Sequence, residues 1–205
     1  MKHFKGFIMI VLFSAMAACA AKSGFTLSSL AIKGASEKGY FSALKSSGRI
    51  DPMYAAKDNE PLNPKSFPFT WKDVPKGTKV LALILDDPDA KPVMQSRGMK
   101  GDAFLHWAAA DIDPASGGLA ENASADKHTF VQGANSGGSN GYVGPRPPSD
   151  FPKDQKKPII HIYRLTVYAL SAPTGLKDGF KLDELEAAMK GKVLGKAELF
   201  FSYSN

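Results

Sequence analysis

Cysteine is almost absent from this chain. The single Cys19 excludes an intramolecular disulfide and any zinc site built on cysteine pairs. Histidine is scarce as well: there are four in 205 residues, and His3 lies in the first five positions. No apolar run is long enough to span a bilayer comfortably, and the longest lies at the very start. Regular helix has little room, because 14 prolines and 19 glycines are scattered throughout, which excludes a helical bundle or a long coiled coil. Charge of one sign is also in short supply. The formal net charge is +6, and Lys2 and Lys5 contribute two of the positive charges. No basic stripe with interleaved aromatics appears, so no nucleic-acid partner is expected. Lys153, Lys156 and Lys157 read as a solvated loop.

What is present is a globular composition, 43% hydrophobic and 22% charged, of a length that favours one domain. The first segment reads as an address. Lys2 and Lys5 form a positive start, Gly6 to Ala18 is uncharged and mostly apolar, and two small residues precede Cys19. That is the pattern of a secretory signal peptide. Met16-Ala17-Ala18-Cys19 resembles a bacterial lipobox, with Met where Leu is usual. The resemblance implies cleavage after residue 18 and acylation of Cys19, with two or more chains giving stable membrane attachment. Ala20 lacks the aspartate associated with inner-membrane retention, so the expected place is the cell envelope, on the outer membrane facing the periplasm in a Gram-negative cell. The division expected is a signal peptide over 1–18, a tether over 19–24 and one folded domain over 25–205.

Within the domain the strand signals dominate. Phe25 to Ile32 alternates loosely. Phe67, Phe69 and Trp71 alternate with Pro68 and Thr70, as a half-buried strand should. Val80 to Leu85 is a buried strand by content, ending at Asp86-Asp87-Pro88-Asp89. Phe104 to Ile112 and Ile159 to Leu170 are further strands, and Val193 to Tyr203 closes the chain. Leu182, Leu185 and Met189 follow helical spacing, with Asp183 and Glu184 early and Gly191 just after. Residues 33–66 and 132–158 read as irregular. The class is mainly β, with one or two peripheral helices.

Polar residues stand at the edges of these apolar strands. Period two places Phe104, His106 and Ala108 on one face, and His161 and Tyr163 on another shared face. Asp87 and Asp89 flank Pro88 at the end of a strand. Gly138-Ser139-Asn140-Gly141-Tyr142-Val143-Gly144-Pro145 can turn backbone N–H groups toward an anion, and the prolines at 145, 147 and 148 stiffen it. Singly, a strand histidine is more often a core residue and Asp-Pro-Asp is more often a turn. Together, at the ends of three strong strands, they predict a pocket.

In the order Asp87-Pro88-Asp89-Ala90, His106-Trp107 with Asp111-Ile112, the Gly138–Pro148 motif, and His161-x-Tyr163 with Val167-Tyr168-Ala169-Leu170, the chain resembles the phosphatidylethanolamine-binding protein family, also called Raf kinase inhibitor-like, in its bacterial branch. Trp71 to Thr78 and Val193 to Leu199 extend the resemblance over about residues 25–203. It implies a large antiparallel sheet packed on a smaller one with Greek-key connections. It also implies a small pocket for phosphate-like or carboxylate anions, at Asp87, His106, Gly144, Pro145, His161 and Tyr163. Ile162 departs from the family's basic residue but lies on the opposite strand face. Arg146 stands where a small residue or Cys is usual, Gly137-Gly138 replaces a stretch that often carries an aromatic, and 33–60 and 90–102 are longer than expected.

The expected electrostatics are simple. A carboxylate raises the pKa of a nearby histidine, and imidazolium with loop N–H groups binds a phosphate head. Asp87 orients the imidazole, Tyr163 offers an O–H, and Asp89 holds the turn. The favoured function is a lipid-anchored binding protein, not an enzyme, for phospholipid head groups or small phosphorylated or carboxylate ligands. It needs no cofactor, and the sequence leaves any protein partner unnamed. Two alternatives remain open. Gly137-Gly138-Ser139-Asn140-Gly141 matches Gly-x-Ser-x-Gly, with His161 downstream, for a serine hydrolase, although no helix can follow it as a nucleophile elbow requires. Two histidines and two acids could ligate zinc, although no His-x-His or His-x₃-His spacing exists.

Overall fold

The structure is a computed structural model and describes residues 24–34, 48–56, 64–148 and 159–204. Cys19, the segment 1–18, almost all of the tether and the Lys153–Lys157 cluster lie outside the described residues. Two sheets carry the domain. The small one has three strands, β1 (Thr26–Ser28), β4 (Phe69–Lys72) and β7 (Gly118–Leu119), in the order β1-β4-β7. The large one contains β2 (Ile32–Lys33), β3 (Arg49–Ile50), β5 (Val80–Asp87), β6 (Phe104–Ile112), β8 (Val131–Gln132), β9 (Ile160–Leu170) and β10 (Val193–Ser204). Its order is β2-β3-β10-β9-β5-β6-β8. Every pairing is antiparallel except β3 with β10, so the large sheet is antiparallel as the resemblance implies, with one short parallel contact at its edge that makes it mixed.

Alternation explains the layers. Phe69 and Trp71 of β4 are buried while Thr70 and Lys72 are exposed. They face Leu81, Leu83 and Leu85 of β5, Trp107 of β6, and Tyr163, Leu165 and Val167 of β9 in one core between the sheets. The opposite face of β5 and β6, with Ala82, Ile84, Leu105, Ala108 and Ala110, is covered by Phe180 and by Leu185 and Met189 of a helix, α2 (Leu182–Met189). A shorter helix, α1 (Lys91–Ser96), follows a 3-10 turn at Pro88–Ala90.

Three sequence expectations change. Phe25–Ile32 is not one strand: the Ser29 hydroxyl bonds the Pro68 carbonyl and accepts from the Ala31 N–H, turning the chain from the small sheet to the large one. The Val80 strand runs two residues further, through Asp86 and Asp87, because its neighbours supply partners for both. Ala108 does not share the face of Phe104 and His106, whose rings meet at 4.9 Å. Leu85 pairs with Trp107 but Asp86 pairs with Leu105, so β6 holds one extra residue at His106. That bulge leaves Trp107 in the inter-sheet core and sends Ala108 to the helix side.

Candidate functional site

The bulge in β6, the end of β5 and the start of β9 converge on one buried polar group of residues. Asp87, the last residue of β5, is almost fully buried. One carboxylate oxygen accepts from the Ala90 N–H at 3.2 Å and caps the 3-10 turn; the other accepts from His161 Nδ1–H at 2.7 Å. A carboxylate only accepts, so the His161 proton facing it must sit on Nδ1. Asp89 holds a strand as well as its turn: its Oδ2 accepts from the Ile162 N–H at 2.8 Å. The β5–β9 ladder ends at Asp86 opposite Arg164, and Asp89 takes over as the acceptor one step beyond it. As expected, Ile162 faces away from His161 and Tyr163, packing on Phe200.

His106 is held differently. Its Nδ1 lies 2.9 Å from the Val143 carbonyl, and the Val143 N–H donates to the His106 carbonyl at 2.9 Å. The Gly/Pro loop is thus docked on the bulge. The ring meets Tyr163 edge-on at 5.2 Å and Phe104 at 4.9 Å. Asp87 orients His161 and not His106. Burial pushes the His106 pKa down and outweighs the pull of Asp87, so the expected rise does not occur at this residue. Tyr163 stacks on Phe201 at 5.5 Å, and its hydroxyl is the one fully buried side-chain polar atom without a hydrogen-bond partner among the described residues. Burial, then the negative charge of Asp87, hold that phenol well above its usual range.

The loop amides are mostly engaged. Gly141 N–H donates to the Gly133 carbonyl, Tyr142 N–H to Ser124 Oγ and Val143 N–H to His106. Of residues 141–144, only the Gly144 N–H keeps no partner among the described residues. Earlier in the loop Gly138 and Ser139 donate to Asn135, while the Asn140 N–H also keeps no partner among the described residues but belongs to an exposed residue, so the expected cradle of several inward amides is reduced to the buried Gly144. A Cβ on Gly144 would lie 2.5 Å from the Ala56 amide nitrogen and 2.9 Å from the Ala55 carbonyl carbon, so no side chain fits. Pro145 accepts from that Ala56 N–H at 3.1 Å, and Tyr142 donates to the Tyr54 carbonyl at 2.7 Å. Residues 54–56 thus clamp the loop from behind. Arg146 is exposed.

Ser139 joins none of this. Its Oγ accepts from Asn135 Nδ2 at 3.0 Å within a turn and shares no hydrogen bond with either histidine. No group of three or more His, Cys, Asp or Glu side chains is arranged to hold a metal among the described residues.

Sequence reasoning missed the other side of the same strand ends. Asp86 accepts from Arg164 Nε at 3.0 Å and Nη2 at 2.5 Å, beside an open cavity of about 660 Å³ that Lys100, Lys181 and Glu186 also line. Burial raises the Asp86 pKa in spite of the Arg164 hydrogen bonds. Period two would have placed both residues on this face. The Val143 carbonyl left no signal, because any residue type supplies one.

A sequence profile described as phosphatidylethanolamine-binding protein matches residues 42–204. A UPF0098 protein of Methanothermobacter thermautotrophicus is 37% identical over 164 residues, covering 78% of this chain and 94% of that one. The uncharacterised protein YxkA of Bacillus subtilis is 40% identical over 146 residues, covering 65% and 78%. Among solved structures, a putative phosphatidylethanolamine-binding protein homolog from Chlamydia trachomatis superposes with a TM-score of 0.68 at 27% identity, covering 89% of this chain and 99% of that one.

Proposed function

The chain belongs to the phosphatidylethanolamine-binding protein family, and from that premise we propose that Asp87, His106, Gly144, Pro145, His161 and Tyr163 form a pocket for phosphate-type head groups or small phosphorylated ligands. The observation that carries the reading is the Tyr163 hydroxyl, buried without a hydrogen-bond partner of good geometry among the described residues, close to the Asp87 carboxylate and on a ring that meets His106 edge-on. A buried O–H without an acceptor is costly, and a ligand oxygen relieves that cost. The Gly144 N–H supplies a second donor. Asp87 fixes His161 and keeps the pocket from being purely cationic. Pro145 holds the Gly144 amide in place through its bond to Ala56.

An anion favours the protonated form of a histidine beside it, so binding is coupled to proton uptake and strengthens as pH falls. Calorimetry with phosphoethanolamine tests this. His106→Ala is expected to weaken binding by about 1.5–3 kcal/mol, the range for a charge-assisted hydrogen bond. Equal affinity in wild type and variant overturns the reading.

The proposal includes the anchor. The lone Cys19 after Ala17-Ala18, behind an apolar core and two lysines, supports a lipid-anchored envelope protein whose pocket works beside a membrane. Intact mass of detergent-extracted protein should show loss of residues 1–18 and a diacylglycerol-sized addition; an unmodified Cys19 overturns it.

A further inference from the structure

The end of the domain opposite the pocket carries its own cluster of features. Gly24 lies against Asp73: a Cβ on the glycine would stand 3.4 Å from that of Asp73. Thr26 pairs with Lys72, so β1 starts where β4 ends. The turn over Pro75–Thr78 follows, and a Cβ on Gly77 would lie 3.8 Å from Leu194 Cδ1. The Lys79 N–H donates to the Leu170 carbonyl, and Leu170 pairs with Val193. The end of the tether, the β4–β5 turn and the start of β10 therefore form one pole. Successive strand residues normally face opposite ways. Here Val193 pairs with Leu170 but Gly195 pairs with Ala169, so Leu194 is an extra residue. That bulge leaves both apolar side chains in solvent, Val193 at 47% and Leu194 at 44% exposure. Lys72, Lys76, Lys79 and Lys190 on the neighbouring segments are exposed and hold no ion pair among the described residues. Of the acids near this pole, Asp73 is exposed, Asp113 caps its own turn, and Asp111 is engaged by the Thr174 N–H and hydroxyl.

Exposed apolar side chains among unpaired lysines fit the surface of a bilayer that carries anionic lipid. The apolar groups enter the headgroup boundary, and the ammonium groups meet lipid phosphates. We propose that this pole docks on such a bilayer, with Val193 and Leu194 inserted and the four lysines on its anionic headgroups, and that docking holds the pocket end away from the membrane. This rests on the anchor reading, and the length of the tether supports it. Cys19 to Gly24 spans at most about 18 Å when fully extended. From this pole β5 runs from Val80 to Asp87, roughly 23 Å at the usual strand rise. The tether therefore reaches the lysine pole easily, whereas a domain standing on its pocket end would need a longer one.

The test reconstitutes the detergent-extracted full-length protein into vesicles of phosphatidylcholine alone or of an equal mixture with phosphatidylglycerol. A polarity-sensitive fluorophore is attached at one of two introduced thiols. Ser171→Cys is exposed beside Lys192 at the lysine pole, and Ile160→Cys is exposed at the pocket end. Acylation of Cys19 leaves the introduced thiol as the one that reacts. The probe at 171 is expected to enter an apolar environment on the mixed vesicles and to stay in water on phosphatidylcholine, while the probe at 160 stays in water on both. Raising the salt to about 0.5 M should return the probe at 171 to water, because exposed charges are then screened within a few ångströms. Each of Lys72→Gln, Lys76→Gln, Lys79→Gln and Lys190→Gln should lower the docked-to-undocked ratio roughly fivefold. Leu194→Ser should lower it by at least a similar factor. Anchored protein whose probe at 171 stays in water on the mixed vesicles, or whose probe at 160 enters the bilayer, overturns the docking and leaves the anchor standing. Protein that washes off both kinds of vesicle overturns both.

Discussion

Asp86 and Asp87 are neighbours in one strand, yet they live in different physical worlds. Asp87 faces the inter-sheet side and is bound to His161 and a backbone amide, with both oxygens engaged and almost no exposure. Asp86 faces the helix side and is forked onto Arg164, whose side chain remains 40% exposed. The inner group is a built constellation in which each partner fixes the next. The outer one is an ion pair at the rim of an open cavity, where burial of the carboxylate works against the attraction. A short distance between opposite charges is therefore no measure of function; what distinguishes the inner face is a buried hydroxyl without a hydrogen-bond partner among the described residues.

The strongest way to break this contrast is to remove the inner carboxylate. Asp87→Ala deprives His161 of its acceptor and the 3-10 turn of its cap. It is expected to lower stability by about 3–5 kcal/mol, the usual cost of breaking a buried pair from one side. Denaturant unfolding measures it, and a loss below 1 kcal/mol would mean the pair is not structural.

Gly144→Ala attacks the inner face from behind. The new methyl meets backbone of Ala55 and Ala56, which cannot rotate away as a flexible side chain would. The expected cost is about 1–3 kcal/mol of stability, with phosphoethanolamine binding reduced because the loop must move off the bulge.

The two faces should also titrate with opposite sign, and pH-dependent thermal unfolding sharpens the comparison. His106 is depressed in the fold, so the unfolded chain binds its proton more tightly. Stability is then full above an unfolded value of about 6.5 and falls by up to ~1.4 kcal/mol per pH unit as pH drops from there to the folded value. Asp86 is raised in the fold, so its contribution is favourable in acid and declines as pH rises through its unfolded value of about 3.9 toward the higher folded one. His106→Gln should remove the first slope and Asp86→Asn the second. Retention of both slopes in the variants would assign them to other groups.

A smaller effect separates binding from stability. Tyr163→Phe deletes a buried hydroxyl that has no hydrogen-bond partner among the described residues, so stability should stay equal or rise by about 1 kcal/mol while phosphoethanolamine affinity falls roughly threefold to tenfold. Loss of stability instead would mean the hydroxyl is satisfied in the free protein. The smallest change is expected on the outer face. Asp86→Leu combined with Arg164→Met should leave stability within about 1 kcal/mol of the wild type and phosphate binding unaltered. A large loss of binding there would mean that the faces communicate.

Much of this was legible beforehand, and the limits follow from particular residues. β6 was placed from Phe104 to Ile112 because its apolar run ends at Asp113-Pro114, and α2 because Leu182, Leu185 and Met189 keep helical spacing. His161 and Tyr163 share a face because β9 is regular there. His106 fell on the right side for the wrong reason: period two also put Ala108 beside it, and one extra residue in β6 removes it. A bulge is set by how two strands match, which a single strand does not contain.

The sequence by itself determined the residue types, their order along the strands and the sites where polarity interrupts apolar runs. Alternation and turn chemistry are local, so the class of fold followed from them, while the set of six candidate pocket residues is what the family resemblance implies. Only the tertiary structure decided which partner each group has. It gave Asp87 to His161 and the Val143 carbonyl to His106, spent the amides of Gly141, Tyr142 and Val143 inside the protein, and buried His106 deeply enough to reverse the expected direction of its titration. The reason is that desolvation and hydrogen-bond assignment depend on every element packed around a group, and those elements come from distant parts of the chain.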